Sequence, residues 1–170
     1  ISPRTSYCIA SGECHNLTLT NCTGGISSLD WGPVTGPGGP YPGGTGLSQT
    51  YAICTTGIFN VNVTATFAPG CTATLTVNGI DTVKPKPIAS FTVDDNFDCL
   101  APHTVVNTAV PCNQCRYTWF NAGGGVNPVN IFNSTVPSET VTYNLYGSFT
   151  TTLTVTAPNG CTQSQTQNDY

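Results

Sequence analysis

The segment Cys112-Asn113-Gln114-Cys115 has the residue types most able to do chemistry. Two cysteines at this spacing form a redox dithiol, half of a zinc site or a short structural disulfide. A redox pair needs a helix N-terminus to lower the thiol pKa, and nothing after Cys115 has helical periodicity. A zinc site needs a second such pair or paired histidines, whereas His15 and His103 are isolated in the sequence. We therefore interpret Cys112 and Cys115 as a disulfide that fixes a loop, and we expect no metal site.

Hydrolytic chemistry has few candidate residues in this chain. An activated nucleophile needs a neighbouring base, and neither a Gly-x-Ser-x-Gly nor a His-Glu-x-x-His motif occurs. A glycosidase needs two convergent carboxylates, but the only glutamates, Glu13 and Glu139, lie in different halves of the sequence. We expect a protein that is not an enzyme and needs no cofactor.

One acidic cluster, Asp94-Asp95-Asn96-Phe97-Asp98, could place oxygen ligands around calcium. It lacks the glycine at the bend and the terminal glutamate of a calcium-binding loop. A solvated turn is the favoured interpretation.

The composition favours an extracellular protein. Nine cysteines without clustered metal-ligand spacing are typical of an oxidising compartment. The four basic residues and the net charge of −4 exclude a nucleic-acid protein, and no window reaches the roughly 20 apolar residues that cross a bilayer. Because the chain starts at Ile1 and contains no methionine, we expect a processed, secreted product without membrane insertion.

An internal repeat organises the sequence. Phe59–Val77 matches Phe149–Gln167 at an offset of 90 residues, and each copy has the pattern of a strand, a tight turn with glycine and a second strand. Each half reads as roughly seven short strands with no helical periodicity, which is typical of a β-sandwich. We predict an all-β protein of two tandem immunoglobulin-like sandwiches. The predicted parts are an N-terminal extension (1–11), a first domain (12–81), a semi-rigid Pro/Lys linker (82–87) and a second domain (88–170).

Three motifs of the second half recur in a known family: Cys99-Leu100-Ala101-Pro102, Tyr117-Thr118-Trp119 and the stretch from Phe149 to Cys161-Thr162. Together they resemble the PKD-type repeat of bacterial surface proteins. The glycine-cysteine-threonine turn is also similar to the repeats of Bacteroidota adhesins and gliding-motility proteins. The resemblance implies an immunoglobulin-like fold and a cell-surface location. The chain departs from it after Trp119, where Phe120–Gly125 replaces an acidic motif.

The repeat also predicts which cysteines form disulfides within the domains. By analogy between the two copies, Cys14–Cys71 and Cys99–Cys161 should each tie the first strand region of a domain to its last hairpin, and Cys22–Cys54 is then the remaining long-range pair. This leaves Cys8, which either bridges to another chain or shows that a pairing is mis-assigned.

Surface features point to contacts and modification. Trp31 and Trp119 occupy equivalent strand positions and are expected in the cores, whereas Tyr41, in the long Gly/Pro loop 32–46, is the better exposed contact. Thr82 in the predicted linker lies in a sequence that resembles the Bacteroidota O-glycosylation motif. Four asparagines match the N-glycosylation sequon: Asn16, Asn21, Asn62 and Asn133.

The leading functional interpretation is a structural subunit of an extracellular filament, pilus or surface layer, which self-associates into a homopolymer. We expect Ile1–Ser11 to dock as a strand on a neighbouring subunit, because a sandwich short of strands leaves an open edge. The alternative is an adhesion module or carbohydrate-binding module of a larger surface protein, and a secreted enzyme or inhibitor is a more distant one.

Overall fold

The computed structural model describes residues 5–20, 26–67, 71–94 and 101–169. Every helix or strand assigned within these ranges is a strand, so the predicted all-β class is confirmed. The described part of the chain has no helix with the length and apolarity that crossing a bilayer requires. The chain divides into two compact units, Ile1–Pro85 and Lys86–Tyr170.

The first unit packs two sheets of unequal size. Its described residues form seven strands: β1 (Thr5–Ile9), β2 (His15–Thr20), β3 (Ile26–Thr35), β4 (Gly44–Thr45), β5 (Ser48–Ile53), β6 (Gly57–Phe67) and β7 (Cys71–Pro85). Five of them form one sheet in the order β1-β7-β6-β3-β4, and β2 and β5 form a two-stranded sheet. The sheets share a core in which Leu17 and Ile53 from the small sheet pack with Trp31 and Val61 from the large one.

Alternation of side chains explains the strands of the large sheet. In β6, Phe59, Val61 and Val63 are buried while the intervening Asn62 is exposed. Successive side chains of a strand point to opposite faces, so this pattern buries one face and hydrates the other.

The second unit is a more even sandwich. Its described residues contain eight strands: β8 (Phe91–Val93), β9 (His103–Ala109), β10 (Arg116–Ala122), β11 (Val126–Asn127), β12 (Asn130–Ser134), β13 (Ser138–Tyr143), β14 (Phe149–Thr156) and β15 (Thr162–Asp169). They form two four-stranded sheets, β12-β10-β14-β15 and β11-β13-β9-β8. Trp119 is fully buried here, as Trp31 is in the first unit, and the ring of Phe91 packs edge-on against it.

The predicted domain boundaries need two corrections. Within the predicted extension 1–11, Thr5–Ile9 is part of the sandwich, because it pairs in parallel with Asp81–Pro85 of β7. Residues 82–85 are not a linker, since they belong to β7 and the division falls after Pro85. The prolines suggested a spacer, but Pro85 ends β7 beyond its pairing with β6 and pairs only with Ile9 of β1, and proline is tolerated where a strand has a partner on one side only.

Candidate interaction surfaces

The N-terminal strand is held on its own chain by core packing and a side-chain cluster. Ile9 is buried in the first core, and the ring of Tyr7 stacks on His15 with centroids 3.5 Å apart. His15 Nε2 lies 3.5 Å from Oδ2 of the fully buried Asp81, whose Oδ1 accepts a hydrogen bond from Thr82 N. The expectation that this segment docks on a neighbouring subunit is therefore wrong for Thr5–Ile9, which completes its own sheet.

Cys14 bonds to Cys54, with their Cα atoms 4.0 Å apart. The predicted pairs Cys14–Cys71 and Cys22–Cys54 are therefore wrong. The physical reason is the register of β2 and β5: His15 lies opposite Ile53, which places Cys14 and Cys54 side by side at the strand ends.

The other cysteines divide into bonded residues and one free thiol. Cys112 is joined to Cys115, with Cα atoms 5.4 Å apart, and Cys8 and Cys161 are each disulfide-bonded. Since Cys8 is bonded in a single chain, its predicted bridge to another chain is not present. Cys22 and Cys99 lie outside the described residues. Among the described cysteines Cys71 is exposed and free, whereas Cys8 is bonded.

Tyr41 packs against its own domain instead of presenting a ring to solvent. Its ring meets Phe59 edge-on at 5.9 Å, its hydroxyl lies 2.9 Å from Thr55 Oγ1, and its backbone bridges to Val34. The loop folds tightly over β3, since a Cβ on Gly43 would lie 1.8 Å from the Trp31 carbonyl oxygen. The glycines thus allow backbone to pack on backbone, and the prediction of Tyr41 as an exposed contact is wrong.

The predicted modification sites lie in different environments. Thr82 is half-buried in β7 between β1 and β6, so its placement in an exposed linker is wrong. Asn16, Asn62 and Asn133 are exposed. Asn21 lies outside the described residues, as does the acidic cluster apart from Asp94, whose carboxylate accepts a hydrogen bond from Val106 N at 2.6 Å.

A buried polar cluster spans the two sheets of the second unit. Glu139 is buried and accepts hydrogen bonds from Asn107 Nδ2 at 3.0 Å and from Asn121 Nδ2 at 3.1 Å. Thr151 Oγ1 donates to Asn121 Oδ1 at 2.8 Å. Buried polar groups of this kind are costly unless they are paired, so the cluster fixes how the sheets meet. Sequence reasoning missed it, although Asn121 was visible as a departure from the PKD motif. Among the described residues, no three His, Cys, Asp or Glu side chains lie together as a metal site.

An apolar groove remains open on the large sheet of the first unit. The groove holds about 450 Å³ and is lined by Thr20 at the end of β2 and by residues of β3, β6 and β7, among them Leu29, Val63, Phe67 and Leu75. Leu75 is 57% exposed although its strand neighbour Val63 is buried. The small sheet of two strands leaves this part of the five-stranded sheet uncovered within the described residues.

The outer faces of the sheets carry paired hydroxyl groups. Opposing strands bring threonine hydroxyls together at 2.9 Å in Thr18–Thr50 and Thr104–Thr142, and at 2.8 Å in Thr152–Thr166. A separate apolar feature lies on the outer face of β10 and β12, where Phe120 and Phe132 are exposed.

Comparisons with known proteins give structural likenesses at low identity. No protein-family profile and no curated protein sequence match the chain. The fibronectin(III)-like modules of Clostridium thermocellum CbhA match with a TM-score of 0.46 and 12% identity, over 98% of this chain and 90% of that one. A calcium-stabilised adhesin with which an Antarctic bacterium binds ice matches with a TM-score of 0.42 and 16% identity, over 95% of this chain and 45% of the adhesin.

Proposed function

We propose that the chain is a non-catalytic structural subunit of an extracellular surface assembly, which associates with copies of itself through strand edges. The observation that carries this proposal is the imbalance of the first unit, where a two-stranded sheet faces a five-stranded one. An apolar sheet face without a cover is stabilised when another element buries it. The disulfides support a place in an oxidising compartment, and we interpret both units as PKD-like immunoglobulin sandwiches of a cell-surface protein.

The test is the size of the native and purified protein. Negative-stain microscopy of native material and sedimentation velocity of the purified chain should both reveal assemblies larger than one chain. A monomer at every concentration, together with an absence of ordered assemblies in native material, would contradict the proposal.

A second candidate function is carbohydrate binding by the second unit. Phe120 and Phe132 are 49% and 70% exposed on one sheet face, and sugars stack on exposed rings of this kind. Glycan arrays should then show a ligand that Phe132→Ala abolishes, while Leu145→Ala, at a similarly exposed side chain, leaves binding unchanged. Arrays without a bound glycan would remove this candidate.

A further inference from the structure

The first half of β7 is paired on one side only. β6 pairs with Cys71–Val77, whereas β1 pairs with the later segment Asp81–Pro85. Between the two segments the register shifts, at a bulge where Gly79 has a φ of 61° and its N–H donates to Asn60 Oδ1. Within the described residues, Cys71–Val77 is therefore an open strand edge, and such an edge is a template for pairing with another chain.

The two faces of this edge differ in polarity. Thr72, Thr74 and Thr76 point outward, and the hydroxyl of Thr74 lies 3.1 Å from that of Thr64 on β6. The alternate residues Ala73 and Leu75 line the apolar groove. A strand added at this edge would extend the sheet and cover the exposed side of Leu75.

The edge strand itself carries no charged side chain. Asp30 and Asp81 enclose residues 31–80, a stretch without a single Asp, Glu, Lys, Arg or His. Proteins commonly use charged side chains to prevent edge-to-edge pairing, and this stretch uses none. An uncharged strand with alternating hydroxyl and apolar side chains would match both faces of this edge.

We propose that the occupant is the same edge of a second copy, paired antiparallel about a two-fold axis at Thr74. This inference rests on the proposed function of self-association and names its interface. The register uses all seven residues and keeps like faces together, with Thr72 opposite Thr76 and Ala73 opposite Leu75. The outer face then repeats the cross-strand threonine pairing that the chain already makes within its own sheets. On the face that lines the groove, Ala73 of each copy lies opposite Leu75 of the other, so a small side chain packs against a large one. The contact is isologous because each copy contributes the same surface.

The register makes a charge-pairing experiment possible. All proteins carry Cys71→Ser, which removes exchange by the exposed thiol. In T72K/T76K, lysines of the two copies lie opposite each other at both ends of the contact. In T72K/T76E, each lysine lies opposite a glutamate. Both pairs of substitutions are at exposed threonines, so the fold tolerates them equally, and circular dichroism checks this.

Sedimentation equilibrium of the full chain measures the result. We expect the Cys71→Ser protein to dimerise, T72K/T76K to weaken dimerisation about tenfold or more, and T72K/T76E to restore it. The reversed pair T72E/T76K should behave like T72K/T76E, which keeps the test valid if one double variant fails to fold.

Different outcomes separate this interface from the broader function. Equal weakening by the like-charge and opposite-charge variants would overturn the proposed register. Assemblies that no charge variant disturbs would overturn this interface and leave self-association intact. A charge-sensitive dimer that never grows further would support the interface and contradict the role as a polymer subunit, whereas a protein that is monomeric at millimolar concentration would contradict both.

The thiol of the wild-type chain gives an independent check. In the proposed register, the two Cys71 residues lie six residue positions apart along the paired strands, about 20 Å. A disulfide requires Cα atoms within about 7 Å, so an oxidised wild-type dimer linked through Cys71 would contradict the register.

Discussion

Buried polar side chains are where single residues matter most in this protein. Tyr51 and Glu139 are both almost fully buried, and each has its polar atoms paired. The sequence alone does not show that these two side chains are buried, because tyrosine and glutamate are common at protein surfaces. Their roles follow from strand register, which brings distant residues together.

Tyr51 predicts a loss of stability at alkaline pH. Burial raises the pKa of its phenol from 10.0, and the negative charge of Asp30 raises the pKa further. The folded chain therefore keeps a proton that the unfolded chain releases above pH 10, so the free energy of unfolding falls as pH rises from about 10 towards the folded pKa. Tyr51→Phe should reduce this dependence, measured by urea unfolding in the Cys71→Ser background. Equal slopes for the two proteins would contradict the assignment.

We expect the loss of the Glu139 carboxylate to destabilise the second unit. Glu139→Ala removes the carboxylate acceptor of Asn107 Nδ2 and one of the two acceptors of Asn121 Nδ2, which should lower the free energy of unfolding by about 3 kcal/mol. The matched control is Glu13→Ala, which removes an exposed hydrogen bond to Ala10 N and should cost less than about 1 kcal/mol. Chemical unfolding measures both, with the fluorescence of Trp119 reporting on the second unit and that of Trp31 on the first. Similar losses in the two variants would show that the buried cluster has no special role.

At the scale of elements, strand alternation and the two hairpins of the repeat were readable from the sequence, whereas the pairing of strands distant in sequence was not. The hairpins β6–β7 and β14–β15 correspond to the two repeat copies, and Phe59 and Phe149 are buried alike. The cysteines that the repeat aligned differ, since Cys161 is buried and bonded while Cys71 is exposed and free. A repeat offset transfers local patterns, but a disulfide depends on which strands become neighbours.

We expect the Cys14–Cys54 disulfide to make a large contribution to the free energy of unfolding of the first unit. The residues are 40 positions apart, and closing a loop of that length stabilises the folded chain by about 4 kcal/mol in the chain-entropy estimate. Cys14→Ser/Cys54→Ser should lose about that amount, while Cys71→Ser should change stability by less than about 0.5 kcal/mol. Peptide mapping without reduction should recover the Cys14–Cys54 pair and alkylated Cys71. Recovery of Cys14 linked to Cys71 would contradict the structure.

At the scale of the whole molecule, the two units predict separate folding. Each has its own core, and the division falls between Pro85 and Lys86. Residues 86–170 expressed alone in an oxidising compartment should fold, with near-ultraviolet circular dichroism from the buried Trp119. Residues 1–85 should also fold, since β1 completes the large sheet, and deletion of residues 1–11 should destabilise them. A C-terminal fragment that is unfolded while the full chain is folded would place the boundary elsewhere.

The paired threonines of the outer faces affect how the contacts of the protein respond to salt. Hydroxyl groups hold water and pair with one another without carrying fixed charge, and residues 31–80 carry no charge at all. Dissolved ions weaken attraction and repulsion between charges, so they have little to act on along this stretch. The contacts made along residues 31–80 should therefore change little between dilute and concentrated salt solutions.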